Sequence, residues 1–210
     1  MNICILGPQG SGKGTQASML AQKYSLFYFD AGRFLRELAK TRPDIDEIIN
    51  KRGELLDDDQ MFKLMQTDLE GHGLFDNLLF DGFPRSIKQF ELLDSYLESK
   101  DKKIDFVILI NISDDEAVRR LSARRIDQKT GKIYNLITNP PPSDIKQADL
   151  TQRQDDIPDA IKQRLSMYHS STQPLVDYLK QNNLLVEVNG ERPIDEIQNE
   201  IVSLIDQKTQ

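Results

Sequence analysis

Residues 2–16 read Asn2-Ile3-Cys4-Ile5-Leu6-Gly7-Pro8-Gln9-Gly10-Ser11-Gly12-Lys13-Gly14-Thr15-Gln16, and this stretch decides the fold. Its first five residues form an apolar run without polar alternation, the pattern of a strand buried on both faces in a parallel sheet. Beyond it Ala17, Leu20, Ala21 and Tyr24 recur near helical spacing, predicting a helix over 13–24. Between strand and helix, four glycines surround one lysine. Such a turn lets successive backbone N–H groups converge on one concavity, and the N-terminus of the helix adds its positive dipole. That combination suits a phosphate chain. Lys13 would supply a point charge for its terminal groups and Thr15 a hydroxyl near a metal. The general phosphate-loop pattern has Ser or Thr directly after the lysine; here Gly14 intervenes.

Working outward, further apolar runs predict strands at Leu26–Phe29, 77–80, Phe106–Ile112 and Leu184–Val188. Helices are predicted near 31–41, 44–52, 58–70, 86–99, 157–181 and 194–207, with Asp44 as the N-cap of the second and Pro158 entering the fifth. Another helix, capped by Ser113, carries Arg119, Arg120, Arg124 and Arg125. Residues 126–152 are rich in turn formers and lack apolar periodicity, so they are expected to be irregular. Strands alternating with helices imply an α/β fold, a parallel sheet with right-handed crossovers. The stretches 31–70 and 126–152 read as two insertions into it.

Of 210 residues, 38% are hydrophobic, enough for a sizeable core and against a wholly disordered chain. The net charge of −7 disfavours a nucleic-acid partner. It leaves room for a phosphate ligand, since a local arginine cluster overrides the net sign at short range. No window approaches the roughly 20 apolar residues of a membrane span, and no basic leader precedes the first strand. Cys4, the only cysteine, cannot form an internal disulfide and is expected to be buried. These features predict a cytoplasmic protein with no membrane partner.

Gly12-Lys13-Gly14-Thr15-Gln16 resembles the loop of the nucleoside monophosphate kinases, the adenylate kinase family above all. Four further stretches match in family order: Ala31-Gly32 with Leu35-Arg36; Asp81-Gly82-Phe83-Pro84-Arg85; Gly131-Lys132-Ile133-Tyr134 with Asn139-Pro140-Pro141; and Arg153-Gln154-Asp155-Asp156 with Arg164. The third is similar to the long lid of bacterial-type members. The resemblance implies reversible phosphoryl transfer from MgATP to a nucleoside monophosphate, AMP first among them. It also implies a core with a five-stranded parallel sheet (1–29, 60–120 and 157–210), a segment for the nucleoside monophosphate at 30–59 and a lid at 121–156. The Phe83–Pro84 bond is expected to be cis.

By family position, ATP belongs to Gly10, Ser11, Gly12, Lys13, Gly14, Thr15, Arg120, Arg124 and Tyr134. AMP belongs to Ala31, Gly32, Arg36, Leu55, Leu56, Gly82, Arg85, Gln89, Arg153 and Arg164. Lys13, Arg85, Arg124, Arg153 and Arg164 are the expected catalytic set, since phosphoryl transfer needs charge stabilisation and alignment above all, and arginine supplies both. Asp81 would order magnesium through water, and Asp155 and Asp156 would orient the lid arginines. The lid lacks cysteine, so no zinc is expected there; Asp127, Thr130 and Asp149 would hold it by hydrogen bonds. Nothing in the sequence requires an oligomer, and a monomer is expected.

The chain departs from typical adenylate kinases in having Ala31-Gly32-Arg33 in place of Thr-Gly-Asp. Alanine at the first position is similar to the UMP/CMP kinases, so CMP and UMP stay open as acceptors, as does a broad-specificity kinase. Gln89 favours adenine, because an amide offers both a donor and an acceptor. A small-metabolite kinase and a non-catalytic nucleotide-binding regulator are the competing readings. The acceptor insertion and long lid oppose the first, and retention of the full cationic set opposes the second.

Overall fold

The apolar run becomes β1 (Ile3–Leu6), buried throughout, at the centre of a sheet with β2 (Phe27–Asp30), β3 (Leu78–Asp81), β4 (Phe106–Asn111) and β8 (Leu185–Asn189). In this computed structural model, which describes residues 1–209, the five strands lie parallel in the order β2-β3-β1-β4-β8. Successive strand residues face opposite sides, so β1 feeds two cores. Cys4 and Leu6 join Phe80 and Leu109 beneath α4 (Asp58–Gly71), α5 (Ile87–Glu98) and α8 (Gln173–Gln181). Ile3 and Ile5 join Ile108 and Ile110 beneath α1 (Lys13–Tyr24) and α9 (Ile194–Thr209). The buried amide of Asn2 ties three strand entrances together: Oδ1 accepts from the Leu78 N–H at 3.1 Å and Nδ2 donates to the Lys103 carbonyl at 2.9 Å.

The remaining elements correct several expectations. Arg124 and Arg125 are not helical. α6 (Asp114–Ser122) stops at Ala123, and both arginines lie on β5 (Arg124–Asp127). Nor is 126–152 irregular throughout: β5 pairs antiparallel with β6 (Ile133–Asn135) and β7 (Leu150–Thr151). Strands of two to four residues carry too little periodicity to be seen in sequence. Their cohesion comes from turn chemistry. Asp127 accepts from Thr130 Oγ1 at 2.5 Å and from the Lys129 N–H at 3.0 Å, while Lys129 Nζ reaches Asp149 at 2.6 Å.

The expected helix over 157–181 is two helices, α7 (Pro158–Met167) and α8, joined by a π-helical turn at Tyr168–Thr172. Pro174 has no N–H to give, so the α-helical ladder cannot run through it. A second such turn, Glu47–Lys51, follows the short α3 (Pro43–Asp46). The N-cap of α3 is Arg42, not Asp44: Pro43 takes the first helical position, which moves Asp44 into the first turn, where it binds Arg42. α2 (Ala31–Ala39) completes the elements, capped by Asp30. The Phe83–Pro84 bond is cis. No helix among the described residues is long and apolar enough to cross a membrane.

Candidate active site

The loop after β1 closes on itself. The Ser11 N–H donates to the Pro8 carbonyl, and Thr15 and Gln16 N–H donate to the Gly12 carbonyl. Gly7 is obligatory for space: a Cβ there would lie 2.3 Å from the carbonyl oxygen of Ile110 on β4. Gly12, in the left-handed region, begins α1 without a side-chain cap, which leaves the first-turn N–H groups facing the loop. Ser11 Oγ is buried and has no hydrogen-bond partner among the described residues, so it is a donor awaiting an acceptor. Lys13 Nζ donates across the loop to the carbonyls of Gly7 at 2.7 Å and Pro8 at 2.8 Å. Burial in the cleft pushes its pKa down to about 8; Asp81 opposes this, while Arg85, Arg164 and Arg124 add to it.

Asp81 ends β3 beside the loop and is 9% exposed. Its Oδ2 accepts from Tyr28 Oη at 3.0 Å and lies 3.4 Å from where a Cβ on Gly14 would sit. Burial raises its pKa, with Lys13 the main opposing influence. This is a carboxylate that gains from a further cation. A buried carboxylate next to a phosphate cradle suits magnesium, which takes one or two carboxylates and completes its shell with water and substrate phosphate. The described residues contain no group of three acidic, His or Cys side chains that would make an all-protein metal cage. Thr15 is exposed in the first turn of α1.

The arginines arrive from separate elements. Arg85 follows β3, and its Nε donates to the Gly82 carbonyl at 2.8 Å. A Cβ on Gly82 would lie 3.2 Å from the Arg85 guanidinium and 3.7 Å from the Ala31 side chain, so these three residues form one wall. Gly32 packs as tightly against Arg36, whose guanidinium is 3.1 Å from the equivalent point. Arg124 on β5 makes a two-pronged pair with Asp156, at 2.8 and 2.6 Å. The Asp156 side chain is fully buried and also receives Arg164 from α7 at 3.2 Å; Asp155 lies 3.1 Å from the same Arg164. Burial is the first cause that lowers the pKa of Arg85, Arg153 and Arg164; Arg153 falls to about 10, with Arg124 and Arg36 contributing. The group is thus one electrostatic unit, reaching from the loop through α2 and β5 to α7.

Other expected residues lie differently. Arg120 is engaged by Glu116 at 2.6 Å, an acid it shares with Arg119, and the two arginines hold that carboxyl near a pKa of about 2. Tyr134 is buried on β6, with the Lys132 ammonium 5.3 Å from its ring centroid. Leu56 is buried, while Leu55 lines a cavity of about 50 Å³ with Lys13, Gly82, Arg85 and the π-helical turn. Arg33 lies over the Tyr28 ring at 5.8 Å. Gln89, on α5, is 4% exposed; its Oε1 accepts from the Arg85 N–H at 2.7 Å and its Nε2 donates to Asp58 at 2.8 Å.

Three participants escaped the sequence reading. Tyr28 closes on Asp81, the Tyr168–Thr172 turn lines the cavity, and Asp58 holds Gln89. Only Asp58 left a trace, as one of three consecutive acids, Asp57-Asp58-Asp59, opening a helix.

The geometry agrees with comparison to known proteins. The chain is similar to the adenylate kinase of Methanocella arvoryzae, 38% identical over 212 residues and covering 98% of each chain. The adenylate kinase of Methanothrix thermoacetophila gives the same identity and coverage. That of Petrotoga mobilis is 32% identical, covering 98% of this chain and 97% of its own. The family model described as adenylate kinase matches residues 5–184, a span that takes in the phosphate loop, Asp81, every arginine of the cluster and the π-helical turn. On that breadth of agreement, the chain belongs to the adenylate kinase family of phosphotransferases.

Proposed function

We propose that the chain catalyses reversible transfer of the γ-phosphoryl group of MgATP to AMP, giving two ADP. The observation that carries this reading is the convergence of Lys13, Arg36, Arg85, Arg124, Arg153 and Arg164, from the phosphate loop, α2, the turn after β3, β5, the segment before α7 and α7, into one electrostatic unit. So many cations are held together only against strong anions, and a transferring phosphoryl group between two nucleotides is such a ligand.

The loop from Gly10 to Thr15 binds the ATP phosphates through backbone N–H groups, Ser11 Oγ and Lys13. Arg36 and Arg85 hold the AMP phosphate. Arg124, Arg153 and Arg164 surround the group in transit, and Asp155 and Asp156 fix the direction of the lid arginines. The AMP phosphate is already anionic, so no general base is needed, and alignment supplies most of the acceleration. Magnesium, held by Asp81 through water and by Thr15, would neutralise charge on the phosphates. Residues 30–59 act as the acceptor segment and 121–156 as the lid. Hydrogen bonds around Asp127 hold the lid strands together, with no call for a metal. One chain supplies the whole cationic set, and we take a cytoplasmic monomer as the working unit.

Ala31 favours a second, subsidiary acceptor class. It is buried against Gly82 with no hydroxyl to offer, which removes one base-discriminating contact. A coupled ADP-forming assay with AMP, CMP, UMP and GMP tests the assignment. AMP should be the best acceptor, with CMP or UMP detectable. Ala31→Thr should sharpen the preference and Gln89→Ala blunt it. Use of UMP or CMP more efficiently than AMP would replace the adenylate kinase reading by a pyrimidine nucleotide kinase.

A further inference from the structure

The side chain of Gln89 is gripped at both ends by groups of opposite hydrogen-bonding character. Its Oε1 accepts from the Arg85 backbone N–H at 2.7 Å, and that N–H can only donate. Its Nε2 donates to the Asp58 Oδ1 at 2.8 Å, and an ionised carboxylate can only accept. Turning the amide by half a revolution would set Nε2 against an N–H and Oε1 against a carboxylate, exchanging two attractions for two repulsions. The residue is 4% exposed, so water is poorly placed to compensate. Each amide atom keeps one unused capacity, an N–H on Nε2 and a lone pair on Oε1.

We infer that Asp58 is a specificity-determining residue, a positioning group that locks the Gln89 amide in the orientation matching adenine and opposing hypoxanthine and guanine. The inference rests on the reading that Gln89 faces the acceptor base. Adenine presents an acceptor at N1 beside a donor at the 6-amino group, which answers a fixed Nε2–H and Oε1 pair. Hypoxanthine and guanine present the reverse, a donor at N1 beside an acceptor at O6. An amide free to turn would serve both sets; an amide held by Asp58 serves the first. The neighbouring Asp59–Lys88 ion pair already ties the start of α4 to the start of α5, so the Asp58 contact is not needed merely to join those helices.

The test compares kcat/KM for AMP and IMP at saturating MgATP in the wild type, Asp58→Asn, Asp58→Ala and Gln89→Ala. IMP differs from AMP only at this edge. In Asp58→Asn the new amide can present either character, and the preference for AMP over IMP should fall about tenfold, the scale of one charge-assisted hydrogen bond. The change should appear in the acceptor KM, with kcat for AMP little altered. The ratio of two acceptors cancels any loss of folded enzyme, and Asp58→Ala, which offers no donor, should fall less. An unchanged ratio in both Asp58 variants, with a shifted ratio in Gln89→Ala, overturns the inference and leaves the adenine role of Gln89 standing. An unchanged ratio in all three overturns both.

Discussion

Lys13 concentrates the chemistry of the loop in one side chain. Its ammonium is half-buried, bonded to two loop carbonyls, and set among arginines that depress its pKa to about 8. Replacing it by Met keeps much of the volume and removes the charge. Turnover should fall by about 10²–10⁴, or roughly 3–5 kcal/mol of transition-state stabilisation; a tenfold loss or less would refute its role. The same shift sets a pH dependence. As pH rises through about 8 the wild-type ammonium is lost, so kcat/KM for ATP should decline on that limb, and the residual activity of Lys13→Met should lack it. Stability runs the other way. The folded pKa lies below the ordinary 10.5, so the unfolded chain binds the extra proton between the two values. The cost of burying this charge is therefore full below about pH 8 and is relieved as pH climbs towards 10.5. Residues like Lys13, Arg85 and Arg164 were legible because they sit in motifs whose spacing survives in one dimension. Tyr28 and Asp58 were not, because each acts through one contact across the fold, with Asp81 and Gln89, that no local pattern encodes.

Elements differ in how far sequence reveals them. The buried strands and longer helices were read to within a residue or two, since continuous apolar runs and helical periodicity are strong signals. The β5-β6-β7 sheet was missed because its strands are held by the Asp127 turn rather than by an apolar face. The break at Tyr168–Thr172 was missed because regular apolar spacing continues across it, though Pro174 marked the place. The clip between β5 and the start of α7 is Asp156, which joins Arg124 and Arg164 from a fully buried position. Removing one partner of a buried ion pair typically costs about 3–5 kcal/mol. Both arginines keep some contact with water, at 17% and 19% exposure, so Asp156→Ala should destabilise the protein by about 3 kcal/mol, the lower end of that range. Urea denaturation should register that loss together with a fall in kcat. A variant with unchanged stability would mean that the arginines find other partners.

At the scale of the molecule, the cleft poses a problem of access. The cavity between Leu55, the phosphate loop and the π-helical turn holds about 50 Å³, below the roughly 300–1,000 Å³ of a small-molecule site, so it is at most one corner of the space that two nucleotides would fill. On the proposed reading, the segments 30–59 and 121–156 are expected to move apart to admit nucleotides and to close again to exclude water during transfer. Small-angle scattering should show compaction when a two-substrate analogue binds, with slower hydrogen exchange in 121–156. An unchanged radius and unchanged exchange would count against motion. The sheet order carries a different consequence, for synthesis. β1 pairs with β3 and β4, through Ile3 with Leu79 and Phe106, and both partners emerge from the ribosome after it. At about 5–20 residues per second the Ile3-Cys4-Ile5-Leu6 run waits several seconds with nothing to pair with. The most apolar piece of the phosphate site is thus made before both strands that flank it, and it lies open on the nascent chain until they follow.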